Sequence, residues 1–328
     1  MVLIFIRYTF KTMIKFFSTI IIILLFNVGF LVGCGVTTHN VVSNIALTKL
    51  NELTYDDTIV NITDVINNNL PYFQSGSAFP DWGYNCFLGE LNSTLQKYLH
   101  NASETAHWFN FMKASVNYIP KSKEPEKLIA FLLGVTSHSV ADILWHNLGT
   151  VTKTHQGFIQ ALCNSDFNCQ GEWYSSDVHM LADTGGEFIN AKLYNLAFIK
   201  KRWVIPYEDV TNIYRSMGIE LSPFQIETCF LELGLEIDSV IEASNLDKDH
   251  IMYDAIGSQA PFMIDFMNSW WMGGVESMAF HVQDCWRGVF EMIVTQDTTN
   301  TSEVCDVYQR SEGLILNGNE DYLLSDLI

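Results

Sequence analysis

The sequence predicts an all-α protein folded as a single multi-helix domain. Three observations lead there. Proline, the strongest helix breaker, occurs only seven times in 328 residues. Long stretches space their apolar residues at helical intervals, not in the alternation of a many-stranded sandwich. The composition is 48% hydrophobic and only 17% charged, which supplies a core and excludes the composition of disordered chains. No repeat with a period of roughly 20–50 residues is visible, so solenoids and propellers are not indicated. At roughly 100–200 residues per domain, the length allows one large domain or two small ones.

In chain order, residues 1–33 come first. They carry Arg7, Lys11 and Lys15, no acid, and an apolar run from Phe16 to Val32 that ends at Gly33. A basic start, an apolar middle and a small residue predict a cleaved secretory signal peptide. The alternative is an uncleaved anchor, for which the run is almost long enough. No later stretch is expected to cross a membrane. Next, Thr38 is expected to cap a helix carrying Val41, Val42, Ile45, Ala46 and Leu50. Residues 70–90 hold Pro71, Gly76, Pro80, Gly83 and Gly89 and read as a long loop. Residues 124–147 give the clearest helix, opened by Glu124 and Pro125. A second runs over 176–198, weakened by Gly185-Gly186. Further helices are expected over 207–217, 222–244 and 260–296. The domain therefore spans residues 34–297, and residues 298–328 form a polar, acidic tail.

Charge and cysteine narrow the function. Eighteen Lys and Arg stand against 37 Asp and Glu, a net charge of −19. Loss of residues 1–33 removes three positive charges and no negative one, which makes it −22. A binder of duplex nucleic acid needs a basic surface, and the longest basic run is Lys200-Lys201-Arg202. Duplex nucleic acid is therefore not an expected partner. Sequons at Asn61, Asn92, Asn101 and Asn300 agree with export. So do the seven cysteines, Cys34, Cys86, Cys163, Cys169, Cys229, Cys285 and Cys305, which allow up to three disulfides in an oxidising compartment. Their pairing stays open, although Cys163 and Cys169 are close enough to close a small loop. None has a C-x-x-C spacing, so a thiolate zinc site is not expected.

The chemistry concentrates in the two clearest helices. His138, Asp142 and His146 stand at i, i+4 and i+8. Each step of four turns the side chain by only about 40°, so all three share one stripe. The rest of that helix is apolar, and ionisable groups there are costly unless paired or metal-bound. His179 and Asp183 repeat the i, i+4 spacing, with Glu187 as the next carboxylate along the stripe. Asp81, His107 and His39 are more scattered candidates. Imidazole and carboxylate without thiolate form the ligand set of hydrolytic zinc. His100, His155, His250 and His281 have no partner at ligand spacing. Taken singly, each motif also has a plain structural reading: a salt bridge, a core histidine or a turn residue.

Taken together and in order, the motifs resemble the zinc-dependent phospholipases C, a fold shared with fungal single-strand nucleases. Five stretches are more closely similar to the catalytic domain of the secreted, anchor-cleaving phospholipases of the D type. They are Cys34–His39, Phe79-Pro80-Asp81, Ser103–Trp108, Glu126–His146 and Lys201-Arg202-Trp203. The likeness extends from Cys34 to about Phe290, and Glu126 through Gly149 is its most specific part. It implies an all-α fold with three zinc ions in a cleft. Carried over by position, one ion would be held by Asp81, His107, His138 and Asp142. A second would be held by His146, His179 and Asp183. The third would be held by the Cys34 amine and carbonyl, His39 and a bridging Asp142. Cleavage before Cys34 would make His39 the sixth mature residue, as that family requires. Many members begin with tryptophan, but backbone chelation does not need that side chain. Large members also carry a C-terminal β-propeller, and none is expected within these 328 residues.

The resemblance implies a secreted phosphodiesterase. Its partners would be glycosylphosphatidylinositol-anchored proteins or phospholipid, met in transient contact with a membrane surface. Hydrolysis at the inositol–phosphate linkage would release the protein and leave phosphatidic acid. Asp81 would act as general base as well as ligand. Trp82, Trp108 and Trp145 each adjoin a proposed ligand and are expected to pack around the site, with a lipid-receiving wall as the alternative. Trp270-Trp271-Met272 is either a lipid-contact patch or core. A phospholipase C, a single-strand nuclease and a catalytically weak zinc- or anchor-binding protein stand as alternative functions.

Overall fold

A computed structural model describes residues 35–51, 57–84, 86–90, 92–146, 157–169, 174–199, 203–246, 250–299 and 304–305. The expected signal peptide, Cys34, His155, Asn300 and most of the expected tail lie outside them. Among the described residues there are fourteen α-helices and no strand. In order they are α1 (Val36–Asn51), α2 (Asp57–Asn68), α3 (Leu70–Ala78), α4 (Phe87–Glu90) and α5 (Ser93–Glu104). Then come α6 (Phe109–Tyr118), α7 (Pro125–His146), α8 (Phe158–Asp166), α9 (Ser176–Leu193) and α10 (Tyr207–Ser216). The last four are α11 (Pro223–Leu246), α12 (Ile251–Gln259), α13 (Pro261–Phe266) and α14 (Val275–Thr295).

The apolar helix α7 is the axis. Leu128, Phe131, Leu132, Leu133, Val140, Leu144 and Trp145 are all buried. α3, α14 and α1 pack along it, and Trp286 Nε1 of α14 donates to the Leu133 carbonyl at 2.7 Å. By length and apolarity α7 qualifies as a membrane span, contrary to expectation, yet most of it is buried inside the protein. A core helix passes the same composition test as a membrane helix because both lack a polar face.

Four expectations are corrected. Residues 70–90 are not a long loop: α3, a 3₁₀ turn at Phe79–Asp81 and α4 occupy most of them. Pro71 sits at the start of α3, where its missing N–H costs nothing. Thr38 does not cap α1, which starts two residues earlier at Val36. α9 ends at Leu193, and a separate 3₁₀ turn at Leu196–Phe198 is capped by the Asn195 side chain. Residues 260–296 are two helices, α13 and α14, interrupted around Gly273, whose φ is +110°. Three disulfides join Cys86 to Cys229, Cys163 to Cys169 and Cys285 to Cys305. The small loop expected at Cys163–Cys169 is present.

Candidate metal centre

Three helices and two tight turns assemble the site. α7 supplies His138, Asp142 and His146, and α9 supplies His179 and Asp183. Asp81 closes the 3₁₀ turn after α3, and His107 closes another at Thr105–His107 after α5. The first turn is pinned by Phe79 and Trp82, both in the core. α1 supplies His39, fully buried, with its ring stacked on that of His138 at 3.5 Å.

Asp81, His107, His138 and Asp142 form one buried group of converging donors. His107 Nε2 and His138 Nε2 are 3.2 Å apart. Asp142 Oδ2 lies 3.3 Å from each of them. Asp81 Oδ1 lies 3.4 Å from His107 Nε2 and 3.7 Å from His138 Nε2. Zinc bonds of about 2.0–2.1 Å to nitrogen and oxygen put tetrahedral ligands roughly 3.3–3.4 Å apart. The measured separations are close to the edges of that tetrahedron. Both carboxylate oxygens of Asp81 and Nδ1 of His107 are buried without a hydrogen bond. Such groups are costly to bury unless an ion satisfies the cluster they belong to.

His146, His179 and Asp183 form the second group. His179 Nε2 and Asp183 Oδ2 approach to 3.0 Å, although His179 Nε2 has no hydrogen bond of acceptable geometry. Three protein donors, with water or substrate as the fourth, is the pattern of an open zinc position. Asp142 links the groups. Its Oδ2 faces His107 and His138, while Oδ1 faces His39 at 3.4 Å and His146 at 3.6 Å. That split is what a bridging ligand requires. His39 meets Asp142 as expected, whereas its proposed co-ligand Cys34 lies outside the described residues.

The neighbours of the donors fix their orientation, as in metal sites generally. His138 Nδ1–H donates to the Ser77 carbonyl at 3.0 Å, which turns Nε2 toward the cluster. Trp145 Nε1 donates to Asp183 Oδ1 at 2.9 Å, leaving Oδ2 toward His179. Neither Ser77 nor Trp145 was singled out as orienting a ligand by the sequence. Trp82 and Trp145 are core, as expected, and Trp108 is half-buried. In the Trp270-Trp271-Met272 run, Met272 is core and Trp271 is exposed. Glu187 joins neither group: it accepts hydrogen bonds from the first turn of α1. His100, His250 and His281 also lie outside both groups.

Electrostatics match the crowding of charge. Burial works against protonating His107, but the Asp142 and Asp81 carboxylates outweigh it and push the imidazole up to about 10. Burial likewise opposes ionising Asp142, yet His138 and His107 hold its carboxyl well below the usual range. Burial pushes His39 well below its ordinary value. Burial raises Glu187 to about 7, against the pull of the Thr37 and Thr38 donors. Without metal, protons balance the buried carboxylates, and metal entry must displace them.

An all-α fold built around two adjacent histidine–carboxylate groups defines a metal-dependent hydrolase scaffold. The chain belongs to the zinc dependent phospholipase C family, whose sequence profile matches residues 38–232. Among curated proteins it is similar to several named phosphatidylinositol-glycan-specific phospholipase D. The one from Dictyostelium discoideum is 32% identical over 81% of this chain and 26% of its own length. That from Rattus norvegicus is 28% identical over 95% of this chain and 35% of its own. That from Homo sapiens is 30% identical over 75% of this chain and 28% of its own. The chain thus spans about a quarter to a third of these relatives. No solved structure matches it.

Proposed function

We propose that this chain is a zinc-dependent phosphodiesterase. It hydrolyses the inositol–phosphate linkage of glycosylphosphatidylinositol anchors, releasing the anchored protein and phosphatidic acid. The single observation that carries the hydrolytic reading is the near-tetrahedral convergence of Asp81, His107, His138 and Asp142. The activity for which the relatives are named supports the choice of substrate. Three ions are proposed: one on those four residues, one on His146, His179 and Asp183, and one on His39, Asp142 and the Cys34 amine and carbonyl. The proposed setting is extracellular, with transient contact at a membrane surface, and three disulfides suit it.

When bound, zinc supplies charge neutralisation for a phosphodiester and lowers the pKa of water from about 15.7 toward about 7. The protein's own groups do the rest. Asp81 has two buried oxygens without a hydrogen bond. One serves as a donor to the cluster, and the other is free to accept a proton from the attacking water. Ser77 and Trp145 keep His138 and Asp183 in the orientation that the site needs. Retention of all eight histidine and aspartate side chains of the constellation argues against a merely anchor-binding protein.

The test is product analysis with zinc-loaded protein and a glycosylphosphatidylinositol-anchored substrate. Phosphatidic acid is the expected lipid. Diacylglycerol would place the cut on the other side of phosphorus and make the chain a phospholipase C. Nucleotides from single-stranded nucleic acid, with no lipid product, would replace the lipid reading with a nuclease.

A further inference from the structure

Helix α1 brings His39 to the cluster, yet its first turn lacks a local cap. The first amides of a helix have no acceptor within the helix, and Ser, Thr, Asp or Asn just before it usually supplies one. Here that position is Gly35, which has no side chain. The acceptor comes instead from 150 residues away. Glu187 Oε1 accepts from Thr37 N at 3.0 Å and from Thr38 N at 3.4 Å. Its Oε2 accepts from Thr37 N at 3.3 Å and makes a short hydrogen bond with the Thr37 hydroxyl. One turn further along α9, Asn190 Nδ2 donates to Thr38 Oγ1 at 2.8 Å. The Glu187 side chain is buried, and a carboxylate at a helix N-terminus gains from the dipole there.

Gly35 completes the fit. Its φ is +88°, and a Cβ there would lie 2.0 Å from Glu187 Oε1. The backbone beside Cys34 can therefore approach the carboxylate only as glycine. Its carbonyl in turn accepts from His39 N at 3.2 Å, which ties His39 into the same turn. His179, Asp183, Glu187 and Asn190 fall on one stripe of α9. One end of that stripe offers metal ligands, and the other grips the start of α1.

We propose that Glu187 is a positioning residue for the amino-terminal metal site. It clamps the Gly35–His39 turn to the helix that bears His179 and Asp183, and so sets His39 against Asp142. This rests on the three-ion reading above. The carboxylate acts as an acceptor of three donors and not as a ligand.

The test uses the full mature chain, with zinc itself as the probe. Glu187→Ala should bind zinc about 10–100-fold more weakly at one site of three. In zinc-free protein, the same variant should lose hydrogen-exchange protection at the Thr37, Thr38 and His39 amides. Glu187→Gln keeps an acceptor oxygen and should stay closer to wild type in both readouts. Thr37→Val removes one donor with little change of shape and should show the same loss in milder form. It decides the matter if Glu187→Ala does not fold. Full zinc content and full protection in Glu187→Ala would overturn the proposal. So would loss of all ions together on global unfolding, combined with wild-type behaviour of Thr37→Val. Fewer than three ions in the wild type would instead count against the three-ion reading. The exchange measurement would then judge the clamp alone.

Discussion

Asp142 is the residue that links the Asp81 group to the histidines on its other side, and the one proposed to bridge two ions. Each of its oxygens faces a different pair of histidines, whereas Asp183 serves one group and has one oxygen held by Trp145. Asp142→Asn should therefore lose about two ions, and Asp183→Asn about one, by elemental analysis of chelator-free protein. Equal, mild losses would remove Asp142 from its bridging place. The α7 and α9 candidates were legible in the sequence because i, i+4 spacing makes a stripe on any helix. Asp81, His107 and His39 were only scattered candidates, and their grouping came through resemblance, since no spacing rule links residues on separate turns. Glu187 was read as a spare metal carboxylate, because its spacing is right while its true partner lies 150 residues away. Glu236 gave no sequence signal at all. Burial raises its carboxyl to about 8, with Glu187 and Asp81 adding repulsion, against about 4.3 in an unfolded chain. The folded state thus binds the extra proton. Stability is fully present below about pH 4.3 and is lost as pH rises toward 8. In metal-free protein, Glu236→Gln should match wild type near pH 4 and exceed it above pH 8. The expected gain is on the order of 1–2 kcal/mol after allowance for solvent screening. Urea melts at both pH values check this, and a constant difference would refute it.

At the scale of elements, the sequence placed most of the long helices and misjudged α3. Gly76 in α3 and Gly134 in α7 explain the misreading. A Cβ on Gly76 would sit 2.1 Å from the Phe131 carbonyl oxygen, and one on Gly134 would sit 2.2 Å from that of Phe73. These glycines serve a backbone-to-backbone helix crossing. A single sequence shows glycine but not what approaches it, so Gly76 and its neighbouring prolines read as loop punctuation. The same crossing carries Ser77, whose carbonyl orients His138. Gly134→Ala should therefore act twice. Overpacking against backbone should cost about 1–3 kcal/mol or more in a thermal or urea melt. Displacement of α3 should also weaken zinc at the Asp81 group, read by chelator competition. An alanine variant with wild-type stability would mean that the crossing is not fixed at this distance.

For the whole molecule, the hard part to read was how distant segments are tied. Six cysteines permit fifteen pairings, and only the six-residue separation of Cys163 and Cys169 gave a hint. The bond from Cys86 to Cys229 spans 143 residues. It fastens the segment just after Asp81 to α11, the helix that carries Glu236. Chain-entropy reasoning makes the two bonds unequal. Closing a loop of that length should contribute about 5 kcal/mol through the unfolded chain, against about 2 kcal/mol for the small loop. The double variant Cys86→Ser, Cys229→Ser should therefore lose more stability than Cys163→Ser, Cys169→Ser, by roughly 3 kcal/mol. Its effect should also extend to the site. The Asp81 turn would keep the core packing of Phe79 and Trp82 and the Trp82–Tyr214 hydrogen bond but lose its covalent tie, so zinc held by Asp81 should weaken while zinc on His146, His179 and Asp183 is retained. Urea melts and chelator competition on both double variants make the comparison. Equal losses of stability would show that loop length does not govern these bonds. Unchanged zinc binding in the Cys86 and Cys229 variant would show that the core alone positions Asp81.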